Sequence, residues 1–327
     1  LSINIVYTLN DKFIPQVAAS IESVLNNSDN SDNFHFFLIS EDLSDLNKKK
    51  LKHQLRNERA MITFISLTNL RDLVGFDFDT GGWNSIVLAR LFLDKLLPES
   101  IEKVIYLDGD TIIRGSLSVL WETNLTNKVV AMAPEPTVDK KRKLFLGLGE
   151  LPYCNAGVLL LNIKLWRIEN CGKQILDFYN ENNGKLFAND QDALNAVLKD
   201  KRVILSPTYN YFNIYDQYSY KVLSKLMLPS TFINRKEFSE VKKNPIIIHY
   251  LGEERPWRIG NKHRFKLDFE NNLNQSEWSD MTYEEGWGSY FKLYYLFNKV
   301  TKPFPMIRYN IMNLLIPWFI RMRAKRV

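Results

Sequence analysis

Only two cysteines, Cys154 and Cys171, occur in 327 residues. That is too few for a disulfide framework, and they do not form a metal-type pair. A reducing compartment is expected. No charged-then-apolar leader opens the chain: Leu1 to Tyr7 already has the character of a core strand, so a secretory signal is not visible. Internal repeats and low-complexity tracts are missing too, which argues against a solenoid or a disordered array. Residues 301–327 have no Asp or Glu but contain Lys302, Arg308, Arg321, Arg323, Lys325 and Arg326, and these six equal the whole net charge of +6. The body is therefore neutral. A nucleic-acid groove needs a basic body, so nucleic acid is not expected as a partner. In the same tail the longest uncharged run, Tyr309 to Ile320, is about half of the roughly 20 residues that a spanning helix requires, and Pro317 interrupts it.

The 45% apolar and 24% charged residues are ordinary for a globular chain with a sizeable core. Ile3 to Tyr7 is a predicted strand, Thr8 to Lys12 a loop, and Phe13 to Leu25 a helix by its apolar period. Phe34 to Ile39 and Met61 to Leu67 are further strands, separated by a helix that Ser44 caps. Strand-helix alternation of this kind predicts an α/β fold with a mostly parallel central sheet. Ligands bind such sheets beyond the carboxyl ends of the strands, which makes Thr8 to Lys12 a candidate contact. Val87 to Leu97 reads as a helix carrying Arg90 and closed by Pro98, and Ala188 to Leu198 as a helix opening on acidic residues. The alternation stops near residue 265. Residues 1–265 are expected to form the catalytic domain, and 266–327 an aromatic, basic, helical extension broken by Pro303, Pro305 and Pro317.

Chemistry concentrates in two places. Val104 to Leu107 is an apolar strand running into Asp108-Gly109-Asp110. In extended backbone two carboxylates at i and i+2 lie on one face and reach one hard cation. Gly109 between them lets the backbone pass close to a ligand. The same D-x-D spacing recurs at Asp77/Asp79 and Asp190/Asp192, so spacing alone is weak. An exposed acidic turn suits Asp77/Asp79 but not Asp108/Asp110, where charge at the end of an apolar strand is costly unless paired. His249 also ends an apolar strand, Pro245 to Ile248. Two carboxylates and one imidazole suit Mn²⁺ somewhat better than Mg²⁺, provided that Asp108, Asp110 and His249 converge.

The segments YLDGDTIIRGSLSVLW, YCNAGVLLLNIKLW, NDQDALNAV and HYLGEERPW, in this order, resemble glycosyltransferase family 8, which includes lipooligosaccharide galactosyltransferases and glycogenin. The resemblance covers residues 3 to about 265 and implies the GT-A nucleotide-sugar-binding fold. It also implies a retaining hexosyltransferase that takes galactose or glucose from a UDP-sugar to a glycan or glycolipid acceptor. On these positions it implies Mn²⁺ ligation by Asp108, Asp110 and His249, and uridine contact by Thr8, Asn10 and Lys12. Arg90 and Asp190 would hold the donor sugar, with Asn155 and Ala156 lining the same site. Gly252 and Arg255 fall on a loop closing over the diphosphate, and Gln191 lies beside the anomeric carbon. Close relatives often carry Asp in place of Asn10 and usually Lys in place of Arg255; an amide oxygen still accepts from uracil, and a guanidinium still pairs with phosphate.

Gln191 is a poor nucleophile, which favours same-face substitution, with Asp190 and Asp192 as alternatives. The pair at 190 and 192 also fits a helix N-terminus favourable to acidic side chains. Residues 139–152, basic and punctuated by glycine, read as a lid or an ordinary surface loop. The tail reads as an interfacial segment drawn to anionic lipid at the cytoplasmic face of a bacterial membrane, or as a packed extension with a solvated basic end. A sugar nucleotidyltransferase is the other enzymatic reading, but the loop after the first strand has none of that class's glycine. A non-catalytic nucleotide-sugar-binding protein is the third.

Overall fold

The apolar runs become strands, buried on both faces at the centre of the sheet and partly exposed at its edges, β3 and β8. They are β1 (Ser2–Thr8), β2 (Asn33–Ser40), β3 (Ala60–Ser66), β4 (Lys103–Leu107), β5 (Thr111–Ile113), β6 (Val130–Pro134), β7 (Cys154–Asn162), β8 (Arg202–Ile204) and β9 (Ile247–His249). The computed structural model describes residues 1–55 and 59–324, with side chains described as far as Trp318. Seven strands form one sheet in the order β3-β2-β1-β4-β7-β6-β8. All run the same way except β7, which is antiparallel to β4 and β6. This is the mixed α/β, mostly parallel arrangement of the GT-A fold.

Period-two alternation divides the core. Ile3, Ile5 and Tyr7 face one layer with Val17 and Ile21 of helix α1 (Ile14–Asn26). Val6 faces the other, with Tyr106 and Trp166. Helix α2 (Asp45–Gln54) starts where Ser44 accepts from the Asn47 amide. Gly109 turns out to serve packing: a Cβ there would lie 2.8 Å from both Phe13 Cδ1 and Val17 Cγ2. Its missing side chain lets the start of α1 press on the end of β4.

Because β1 and β4 are parallel and β7 runs back, the carboxyl ends of the first two meet the start of the third at one edge. Thr8, Asp108 and Asn155 to Gly157 share that edge. A separate two-stranded ribbon completes it. β5 pairs antiparallel with β9 in the register Thr111↔His249, and the Tyr250 amide donates to the Asp110 carbonyl at 2.9 Å.

Three local expectations change. The helix expected over Val87 to Leu97 is a 3-10 stretch, Ser85–Phe92, followed by one α-turn, Leu93–Leu96; the Val87 carbonyl accepts from Arg90 Nε at 3.1 Å. Asp108-Gly109-Asp110 is a turn between β4 and β5 rather than extended chain. Pro317 does not stop the last helix. Beyond residue 265 the helices are Lys266–Gln275, Gly288–Thr301 and Pro305–Ala324, with Pro317 inside the third and Pro305 at the position where a missing N–H costs least. The first of them packs on α1, where Asn26 Nδ2 donates to Asn272 Oδ1 at 3.0 Å, and its Phe269 and Leu273 join the main core.

Candidate active site

The turn after β4 and the end of β9 bring Asp108, Asp110 and His249 together, one donor atom from each within 4.8 Å of the others. His249 Nε2 lies 3.2 Å from Asp110 Oδ1 and 3.8 Å from Asp108 Oδ2. The ring orientation follows from a chain of amides. Glu135 Oε2 accepts from Asn155 Nδ2 at 3.0 Å. Asn155 Oδ1 in turn accepts from the Gly157 amide and from Asn210 Nδ2, both at 2.9 Å. The Asn210 oxygen is therefore left to face His249 Nδ1 at 2.9 Å. Nδ1 thus donates to Asn210, which leaves Nε2 as the nitrogen turned to the carboxylates: protonated, it donates to Asp110, and a bound cation would take that proton's place.

Two more features suit a hard divalent cation. His249 is buried, which by itself pushes its pKa down, but Asp110 and then Asp108 hold it above the usual imidazole range. Burial alone would raise Asp110, yet the His249 charge and hydrogen bond, with Arg255, keep it low. Positive charge is thus wanted here and two carboxylates converge on it, the donor set of a site with oxygen and imidazole ligands. The space is made by Gly157, where a Cβ would fall 2.2 Å from His249 Cε1 and 2.9 Å from Asp108 Oδ2.

Arg90 links the cluster to the sheet. Its Nη1 donates to Asp108 Oδ1 at 3.3 Å and to the Ala156 carbonyl at 2.8 Å, while its Nε lies 2.6 Å from Asp190 Oδ2. Burial drives the Asp190 carboxyl upward against the pull of Arg90. Tyr106 bridges Asp108 Oδ1 at 3.0 Å and Thr8 Oγ1 at 2.8 Å, which ties Thr8 to the same group. Asn10 caps the short turn Asp11–Phe13 through its side-chain oxygen, and Lys12 is exposed beside it. On the far side Arg255 Nη2 lies 3.4 Å from Asp110 Oδ2, on a loop that Gly252 turns with φ of 86°.

The Asp190/Asp192 pair lies on the helix Asn189–Val197, where two residues span roughly 200° of rotation. The carboxylates consequently diverge. Asp190 faces Arg90. Asp192 accepts from Arg142 Nε at 2.9 Å, the Tyr153 hydroxyl at 2.7 Å and the Ala188 amide at 3.0 Å. Both its oxygens are engaged away from the cluster. Gln191 lies between: its oxygen accepts from the Ala156 amide at 2.9 Å, and its Nε2 donates to Tyr153 at 3.0 Å and Glu135 at 3.2 Å. Asp77 and Asp79 are exposed, as expected, on irregular chain just before a turn, with Asp79 paired to Lys185.

Glu135, Tyr153, Gly157 and Asn210 were not among the sequence candidates. Glu135 carried a usable signal, a carboxylate just past the buried strand Val130 to Pro134, as Asp108 follows its own. The segment 139–152 is anchored rather than loose: the helix Lys140–Phe145 starts on Asp139, and Arg142 sits between the rings of Tyr153 and Phe187.

Known proteins share sequence and fold with this chain. General stress protein A of Bacillus subtilis is 26% identical over 280 residues, 84% of this chain and 94% of that protein. Lipopolysaccharide 1,3-galactosyltransferase of Salmonella typhimurium is 25% identical over 285 residues, 84% and 79% of the two chains. The crystal structure of galactosyltransferase LgtC with donor and acceptor sugar analogues shares the fold at a TM-score of 0.71 and 22% identity, over 88% of this chain and 99% of that one. The model of the family described as glycosyl transferase family 8 matches residues 4–259, a span that holds the carboxylate turn, the histidine strand and the Arg90–Asp190 pair; the chain belongs to that family.

Proposed function

We propose that this glycosyltransferase moves galactose or glucose from a UDP-sugar to a saccharide or glycolipid acceptor with retention at the anomeric carbon, using Mn²⁺, with Mg²⁺ as a substitute. The meeting of Asp108, Asp110 and His249 carries the reading. Those three residues would hold a divalent cation, which would supply Lewis-acid neutralisation of the diphosphate leaving group.

The remaining work falls to the chain's own residues. Thr8, Asn10 and Lys12 take the uridine, while Asn155 and Ala156 line the sugar. Arg90 and Asp190 hold its hydroxyls, the buried ion pair keeping both groups at fixed positions. Arg255, on its Gly252-turned loop, meets the diphosphate oxygens that develop charge. Gln191 offers only a carboxamide to the anomeric carbon, and Asp192 is occupied by Arg142. Substitution therefore occurs on one face: the bond from the anomeric carbon to the phosphate oxygen breaks, the acceptor oxygen bonds to that carbon, and the acceptor's proton passes to the departing phosphate.

The setting we infer is the cytoplasmic face of a bacterial membrane, with residues 266–327 as the attached extension. No helix among the described residues is long and apolar enough to cross a membrane. Phe304, Ile307, Leu314 and Trp318 are each more than half exposed, and such side chains beside basic residues suit an anionic interface. UDP release from UDP-galactose and UDP-glucose, with and without Mn²⁺, tests the function. We expect metal-dependent release that falls at least ~100-fold in Asp110→Asn. Turnover without metal, or an unaffected variant, overturns it.

A further inference from the structure

The loop that carries Arg255 is gripped from outside the nucleotide-binding sheet. Glu284 forms a two-way bridge with it: the Glu284 amide donates to the Trp257 carbonyl, and the Ile259 amide to the Glu284 carbonyl, both at 2.9 Å. The same residue's carboxylate accepts from Trp257 Nε1 at 3.0 Å and Arg258 Nε at 2.8 Å. The buried Arg258 guanidinium lies 3.6 Å over the Trp287 ring. Lys262, a few residues on, donates its amide to the Tyr295 hydroxyl.

At the centre of the grip is a carboxylate that the catalytic scheme does not use. Glu254 Oε2 accepts from Asn213 Nδ2 at 2.6 Å, and Oε1 from the Tyr290 hydroxyl at 3.4 Å. Tyr294 turns its hydroxyl toward the same group, and its ring stacks on Tyr290 at 5.9 Å. Burial raises the Glu254 carboxyl above the usual carboxylate range. A carboxylate largely withdrawn from water, with no arginine or lysine paired to it among the described residues, is costly to keep unless its hydrogen bonds hold something in place. Here they join three segments: the one that begins at Asn210 and orients His249, the loop bearing Arg255, and the helix Gly288–Thr301. That helix is otherwise thinly packed, with Phe291 and Thr301 its buried residues.

We propose that Glu254 is a positioning residue through which the helix Gly288–Thr301 holds the Arg255 loop against Asp110, so that the C-terminal extension is part of the donor site as well as a membrane handle. Glu254 acts on the donor only through its neighbour Arg255, and the inference rests on the reading of Arg255 as a diphosphate contact.

A double-mutant cycle separates this from a merely structural role. Glu254→Ala should raise the KM for the UDP-sugar about 10-fold while kcat stays within about 3-fold. Arg255→Ala should raise it as much or more, and adding Glu254→Ala in that background should change KM by less than about 2-fold. Glu254→Gln, which keeps oxygen and shape, should restore most of the loss. Tyr290→Phe with Tyr294→Phe, which keeps both rings, should reproduce part of it even if Glu254→Ala folds poorly. Hydrogen exchange without nucleotide or metal supplies a readout free of activity: amides 252–256 should exchange about 10-fold faster in Glu254→Ala and in the double Phe variant, with β4 unchanged. Multiplicative KM effects in the cycle, or unaltered exchange in the loop, overturn the proposal. An inactive wild type would instead sink the assigned reaction, and the exchange experiment would still decide whether the helix holds the loop.

Discussion

A single methyl group at position 157 would fall 2.2 Å from His249 Cε1 and 2.7 Å from its Nδ1, closer than atoms in contact approach. The imidazole would have to rotate away from Asn210 or from the two carboxylates. Gly157→Ala is therefore expected to weaken Mn²⁺ binding by on the order of 100-fold, the range seen when support around a metal ligand is lost. Titration calorimetry with Mn²⁺ checks it, alongside circular dichroism to show that the sheet is retained. Native affinity in this variant would mean that His249 does not ligate. The Gly157 amide adds a second role, since it donates to Asn155 and so sets the direction of the amide chain that ends on His249. Neither role shows in the sequence, where Gly157 is one small residue opening an apolar run.

At the scale of elements, the helix Asn189–Val197 sends successive acids to different arginines. Asp192 is buried and meets Arg142, Tyr153 and the Ala188 amide. Removing a carboxylate from a buried pair strands its partner, at a cost of about 3 kcal/mol. Asp192→Ala should lose that much stability by urea unfolding; a change near zero would show that Arg142 finds water or another partner instead. His263, between the histidine strand and the extension, gives an acid signature. Burial pushes its imidazole down to about 4, and its Nδ1 accepts from the Phe265 amide at 3.1 Å. Unfolded, the ring takes its proton near the ordinary value of 6.5. Between those two pH values the unfolded chain binds more protons, so stability falls as pH falls through that window and levels off below it. Thermal melts from pH 7 to 4 should show a shallower decline for His263→Phe than for the wild type. Parallel curves would exclude His263 as the source.

At the scale of the whole molecule, the tail divides into parts with different fates. Arg308 was grouped by sequence with the lipid-attracted bases, yet it is 2% exposed. Its Nη1 donates to Asn298 at 2.6 Å and Thr301 at 3.1 Å, pinning the last helix to the one before. The side chains of Arg321 and Arg323, and residues Lys325 and Arg326, lie outside the described residues. The exposed Phe304, Ile307, Leu314 and Trp318 remain as an apolar surface for an interface. The full chain should float with vesicles containing anionic lipid, and less so at high salt. A chain ending at Thr301 should stay in the soluble fraction. Equal flotation of the two would remove the tail as the handle.

Much of the architecture was legible because local physics specifies it. Apolar runs separated by capped helices mean parallel strands, and charge at the end of an apolar strand is costly without a purpose, so Asp108 and Asp110 stood out from Asp77 and Asp79. Four motifs in order then narrowed the family. Three matters were left to the tertiary structure. Whether His249 reaches Asp110 depends on the β5–β9 register, a pairing between segments far apart in the chain. The divergence of Asp190 and Asp192 depends on helical rotation and on which arginine each meets. The burial of Arg308 and the partial burial of Glu254 depend on where the last helices dock. Sequence patterns report the preferences of neighbours along the backbone; contacts closed by distant segments are settled by packing, and in this protein the site is made of such contacts.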